Sequence, residues 1–220
     1  MHDDNVPPLT NSAIEEHASQ PKAVDLPAIE FESPGRFSLH NPQVVTADAA
    51  QLEPAPFVLG QQRQMQHFDN PQDARAHALA LLQQAQRSLC IYSIDFEPWL
   101  YHHSGIQAAC TAFLLANPRN QLRILLRDVS RAVKDGHRLL TLARKLPSSC
   151  QIRKLHSDYP SETVNFLLAD NCGLLLRPEP SQYAGYACYQ DPANVRQRQA
   201  QFEQAWNTSV SDADLRSFLL

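Results

Sequence analysis

The 220-residue sequence predicts an α/β fold: a mixed β-sheet flanked by helices, preceded by a disordered acidic arm. Three observations carry this. Helix-type and strand-type apolar patterns alternate between about residues 70 and 155, as they do where helices cover a sheet. Two short apolar runs, 166–169 and 174–176, are joined by Asp170-Asn-Cys-Gly173, a turn-rich joint that reads as a hairpin within a core. Composition also shifts near residue 56: residues 1–56 carry a net charge of −7, and residues 57–220 carry +3.

Residues 1–56 are rich in Pro, Asn, Gln, Ala and acids and show no sustained period, so they cannot bury enough apolar surface to offset their ordering entropy. They are expected to be a flexible arm that could recruit a protein partner, with 57–220 as the single folded domain. Asn70 before Pro71 marks a helix start, and Ala74, Ala78, Leu81, Leu82 and Ala85 continue it to about Arg87. The run 89–94 reads as a buried strand that Glu97-Pro98 terminates. A helix over 104–116, apolar nearly all round, stops at Asn117-Pro118, and a strand over 122–126 closes on Arg127-Asp128.

Ser130 can cap one helix running to Leu146, with Leu139, Leu142, Ala143 and Leu146 on one face and Arg131, Lys134, Arg138 and Lys145 on the other. Residues 151–155 form a strand of mixed polarity, expected near a sheet edge. After the hairpin, 183–189 is a short aromatic strand. Asp191-Pro192 then opens a last helix carrying Val195, Phe202 and Trp206. No internal repeat is visible.

No run of about 18 apolar residues occurs, so no transmembrane helix is predicted. The opening Met1-His-Asp-Asp-Asn5 is not read as a signal peptide, and the expected compartment is the cytoplasm. Cys90, Cys110, Cys150, Cys172 and Cys188 form no C-x-x-C pair, so neither a zinc site nor a disulfide framework is indicated. His102-His103 lacks a third ligand at useful spacing. Phosphate-loop, dinucleotide and nucleophile-elbow motifs are absent, and no cofactor or metal is expected.

The polar residues of the hairpin carry a resemblance. In Thr163-Val-Asn-Phe-Leu-Leu-Ala-Asp170, Thr163, Asn165 and Asp170 occupy the spacing of the H-x-K-x-x-x-x-D motif of the phospholipase D-like superfamily, which this stretch resembles with only Asp170 kept. The downstream G-S-x-N reads Arg177-Pro-Glu-Pro180. The closing Asp191-Pro-Ala-Asn194 to Trp206 also looks like that family's ending. Gly136-His-Arg-Leu-Leu140 and Arg177-Pro-Glu-Pro180 look like features of an uncharacterised bacterial group of degenerate members. The resemblance implies half of a two-motif site, and hence a homodimer. It also implies a cleft for phosphodiesters.

A phosphodiesterase of this kind needs a His nucleophile, a mate that protonates the leaving group, and a Lys on the equatorial oxygens. Thr163 has no neighbouring base and Asn165 carries no charge, so an inactive copy is expected; Asp170 is equally a common turn residue. Residues 119–154 hold ten basic residues against Asp128 and Asp135, a local balance of +8. Arg123, Arg127, Arg131, Lys134, His137, Arg138 and Arg177 are therefore the candidate phosphate contacts. The bland alternative is that the arginines pair with local acids and that His137 is a boundary residue. The expected function is a non-catalytic module binding a phosphate-bearing ligand, foremost nucleic acid. The alternatives are a protein-interaction or scaffold domain, or a weak phosphodiesterase using His137 or His156.

Overall fold

The computed structural model describes residues 52–160, 164–212 and 215. The expected arm up to residue 51 and Thr163 lie outside these residues. Leu52, Ala55 and Phe57, at the arm's expected boundary, pack against the main core, and the Ala55 amide donates to the Ala76 carbonyl at 2.9 Å.

The elements run in order β1 (Gln66–Phe68), α1 (Pro71–Gln84), β2 (Ser88–Ser93), α2 (Pro98–Tyr101), α3 (Ser104–Ala116), β3 (Gln121–Leu126), α4 (Ser130–Lys134), α5 (Arg138–Lys145), β4 (Cys150–Lys154), β5 (Asn165–Ala169), β6 (Gly173–Arg177), β7 (Gly185–Cys188) and α6 (Pro192–Thr208). The strands make one seven-stranded sheet in the order β1-β7-β6-β5-β2-β3-β4. β2, β3 and β4 are parallel, each pair joined by helices, whereas β5, β6, β7 and β1 form an antiparallel half attached through β5 to β2. This is the mixed sheet flanked by helices that the alternating pattern predicts.

Strand alternation sends odd-numbered residues of β2 and β5 to one face, where Leu89, Ile91, Leu167 and Ala169 join the buried faces of α1, α3 and α5. The other face carries Cys90, Tyr92, Phe166 and Leu168 and is covered by Val195, Phe202, Ala205 and Trp206 of α6. α1 begins as expected: the Asn70 side chain accepts from the Asp73 amide at 2.9 Å, and Pro71 follows at the first helical position. Strand β4 is an edge, and one antiparallel bridge from Lys154 to Val210 covers part of it.

Two expectations are corrected. The single helix expected over 130–146 is two helices. Gly136 turns the chain at φ +60, and the His137 side chain caps α5 by accepting from the Leu139 amide at 3.2 Å. Ser130 is the first residue of α4 and not its cap, a place taken by Val129. β2 ends at Ser93, ahead of Glu97-Pro98 as expected, and Pro98 opens the one-turn α2. β1 escapes sequence reading because three residues are too few to show a period.

Candidate functional site

The parallel strands place the carboxyl ends of β2, β3 and β4 together, and the antiparallel hairpin adds the start of β5 and the end of β6. In open α/β sheets, the crevice outside these strand ends is where ligands bind. Asn165 sits there and faces Arg177 directly across the β5–β6 pair. The register of β2 with β5 aligns Tyr92 with Phe166, so Ser93 continues the same row. Ser93, Asn165 and Arg177 thus form a polar line at the end of an otherwise apolar sheet face.

This line is buried. Arg177 is 1% exposed and Asn165 2%. Burying a guanidinium is tolerable only if its charge and donors are met. Arg177 forms an ion pair with Glu97, itself 3% exposed, donates to the carbonyls of Pro180 and Gln182, and lies 4.7 Å from the Trp99 ring centroid. Burial pulls the Arg177 pKa down to about 10, partly offset by Asp95, Tyr183 and Glu179. The Ser93 hydroxyl donates to Glu97 Oε2 at 3.3 Å, and Asn165 Oδ1 accepts from the Ile94 amide at 3.1 Å. Among the described residues, Asn165 Nδ2 and Arg177 Nε are buried donors without an acceptor.

Glu97 is held there by unusual backbone. Phe96 and Glu97 have φ of +69 and +40, and for non-glycine residues each such conformation costs about 1–2 kcal/mol. Packing offsets this cost. The Phe96 ring stacks on His137 with centroids 3.9 Å apart and planes at 12°. His137 is 1% exposed, and burial, helped by His102, lowers its pKa to about 3, so the ring is neutral. Its Nδ1 accepts from Leu139, which assigns the proton to Nε2. This corrects the expectation of His137 as a phosphate contact: the kink at Gly136 turns it inward, where it buttresses Phe96 and Glu97.

The rim of the crevice holds the exposed cations. Arg131, 57% exposed, reaches Asp95 at 3.2 Å and Asp135 at 3.6 Å, and Lys134 lies exposed on the same short helix. Arg127 is exposed at the end of β3 and lines a cavity of about 350 Å³ with Lys154, His156 and Tyr159. Arg138 is half-buried at the start of α5, its backbone N–H donating to His102 Nδ1 at 3.3 Å.

Other candidates stand apart. Arg123 is on the opposite sheet face, where both terminal guanidinium nitrogens reach Glu203, and it lies 5.3 and 5.4 Å from the Phe202 and Trp206 centroids. The Glu203 hydrogen bond raises its pKa further. Arg153 lies over Trp206 at 4.4 Å, and Lys154 pairs with Asp212 at 3.5 Å. The basic segment is thus divided between both faces of the sheet. Asp170 is at the far end of β5 from Asn165, about 16 Å along an extended chain. Its φ is +54 and its carboxylate accepts from the amides of Gln86, Arg87 and Ser88 at 2.9, 2.8 and 3.0 Å. It fastens the α1–β2 turn to the hairpin. A cavity of about 750 Å³ opens at that end, with Arg87, Arg196 and Gln199 in its lining.

Sequence reading missed Ser93, Glu97 and Trp99. The available signal was a carboxylate placed just before a proline at the end of a buried strand. Among the described residues, no group of three His, Cys, Asp or Glu side chains could hold a metal, and no helix is long and apolar enough to cross a membrane. The five cysteines are free thiols.

Residues 70–218 match a family described as a domain of unknown function, DUF7931. The chain belongs to this family. Among solved structures, it is similar to TrmBL2, described as an archaeal chromatin protein with a novel mode of DNA binding, at 12% identity and a TM-score of 0.48 over 66% of this chain. It spans only 53% of that protein. NucT from Helicobacter pylori is similar at 10% identity and a TM-score of 0.48, covering 68% of this chain and 99% of that one. Nuc from Salmonella typhimurium, a phospholipase D family member, is similar at 14% identity and a TM-score of 0.46, covering 67% and 95%. No curated protein matches this DUF7931 chain.

Proposed function

We propose that this chain is a non-catalytic phospholipase D-like module that binds a phosphate-bearing polymer, foremost nucleic acid, at the carboxyl ends of its parallel strands. The observation that carries this reading is the pairing of an exposed cationic rim, Arg127, Arg131 and Lys134, with a buried line in which Asn165 stands at the motif's lysine position. A neutral amide cannot stabilise a pentavalent phosphate as a lysine does, and His137 is buried against Phe96. Affinity without chemistry is what remains. The reading includes a homodimer, in which two crevices face one another, and a cytoplasmic setting, where the five thiols stay reduced.

Nucleic-acid binding by exposed cations releases counterions and weakens with salt. The test is a titration of the purified chain with single- and double-stranded DNA at low and physiological salt, with light scattering on the same samples. Wild type should bind at low salt as a dimer, and Arg131→Glu with Lys134→Glu should lose at least tenfold. Unchanged affinity in the charge-reversed variant would refute the rim. No binding at low salt would favour the protein-interaction reading, in which the fold serves only to hold partners.

A further inference from the structure

We propose that Arg177, Asn165 and Ser93 form a buried receptor for one phosphate group of the ligand, and that Glu97 is a resident counter-anion which this phosphate displaces. The inference rests on the reading of the crevice as a phosphate-polymer site and names the group that anchors there.

The donor set is the first argument. Arg177 brings a guanidinium to the position directly opposite Asn165, so the strand next to the motif strand supplies the positive charge that Asn165 does not. Ser93 contributes a hydroxyl that now donates to Glu97. Asn165 Nδ2 and Arg177 Nε are buried donors with no acceptor among the described residues. Glu97 has only two carboxylate oxygens for this set. A phosphate diester pairs with a guanidinium through two parallel bonds as a carboxylate does. It also carries two ester oxygens and spreads its four oxygens tetrahedrally instead of in one plane, so acceptors remain for Asn165 and Ser93.

The second argument is how Glu97 is held. It belongs to the α2 turn rather than to the sheet, and it and Phe96 both lie in the left-handed region. Its backbone is therefore disfavoured in place and relaxes if the segment leaves, whereas Arg177, Asn165 and Ser93 are fixed on three paired strands. Displacement accordingly moves the acid and leaves the donors where they are. The covering side chains lie on the same path. Trp99 sits on Arg177 and meets Tyr183, 48% exposed, edge-on with centroids 4.9 Å apart. Asp95, two residues before Glu97, is held by Arg131 of the rim, so a polymer drawing Arg131 away loosens the segment's outer end.

The experiment uses the full chain with two probes, inorganic phosphate and a single-stranded oligonucleotide, which separate a free phosphate from a polymer's phosphate. Affinities of wild type and Glu97→Gln are measured by calorimetry. Hydrogen exchange of wild type, with and without the oligonucleotide, reads the 94–101 segment independently of any variant. Glu97→Gln, which removes the competing charge but keeps the shape, should bind at least tenfold tighter. In wild type, the ligand should speed exchange over 94–101. Tightening for both probes assigns the receptor to phosphate itself, and tightening for the oligonucleotide alone assigns it to a polymer's phosphate. Equal oligonucleotide affinity in the two proteins with unchanged exchange would overturn the receptor and leave the rim reading standing. Absence of binding by either protein to either probe would overturn both.

Discussion

Asn165 and Arg177 stand opposite each other on β5 and β6, and the one charge between them, on Arg177, is neutralised by Glu97. A buried pair of this kind is poor evidence for extra stability, but losing one partner leaves an uncompensated charge in the interior. Arg177→Met should therefore cost about 3–5 kcal/mol. The double variant Arg177→Met with Glu97→Gln should recover part of that loss, as read by urea unfolding. If the double variant is as unstable as the single losses added together, the two residues do not act as a pair.

Asp170 is predicted to matter for the fold rather than for the ligand. Its carboxylate accepts from three backbone amides, but the bonds to Gln86 and Arg87 are exposed, where water can replace the lost acceptor. Only the part-buried bond to Ser88 is expected to count near its full charged-acceptor value of about 1.5–3 kcal/mol. Asp170→Ala should lower stability by about 2–4 kcal/mol. Asp170→Asn should lose less, because Asn tolerates the left-handed backbone and keeps one acceptor. Both should bind an oligonucleotide with unchanged affinity under conditions where they remain folded. A specific loss of binding in folded Asp170→Asn would return this residue to the site.

His137 sets a pH dependence whose sign follows from its burial. The unfolded chain's histidine titrates near 6.5, and the folded one only near about 3. Between those values the unfolded state holds the extra proton. His137's contribution is complete above about 6.5 and is lost as pH falls toward 3, at up to about 1.4 kcal/mol per pH unit. His77, whose pKa is also lowered by burial, adds in the same direction. His137→Asn keeps a capping side chain but cannot titrate, so its stability should fall less steeply over that window. Parallel wild-type and variant curves would show that His137 takes up its proton as readily in the fold as in the unfolded chain, contradicting its burial as a neutral ring.

Gly136 isolates the kink. No atom lies within 4 Å of where its Cβ would be, so the cost of a side chain is purely that of the left-handed backbone. Gly136→Ala should lose about 1 kcal/mol, and Gly136→Asn less. A loss of several kcal/mol in thermal or urea unfolding would mean that the side chain meets something beyond the turn.

Much of the scaffold was legible because it depends on local periodicity. Asn70-Pro71, the apolar strand around Ile91 and the hairpin at Asp170 each declare themselves within a few residues. What was illegible depends on partners remote in sequence. Arg123 and Arg177 read alike as cations beside apolar strands, but one is claimed by Glu203 on α6 and the other by Glu97 on the opposite sheet face. The helical stripe over 130–146 is intact on both sides of Gly136, so the period alone cannot show the break that turns His137 inward. In the sequence Glu97 is only the residue before a strand-ending proline, and its burial is visible only when β6 is set beside β5.

The most direct measurement of the central claim is the salt dependence of single-stranded DNA binding by the full chain, compared with Arg127→Gln, Arg131→Gln, Lys134→Gln in one protein. The three rim cations should give log K against log salt a slope of about −2 or steeper, and removing all three charges should flatten it by about that amount. A wild-type slope near zero, or a steep slope that the triple variant retains, would contradict phosphate-polymer binding at the carboxyl ends of β2 and β3.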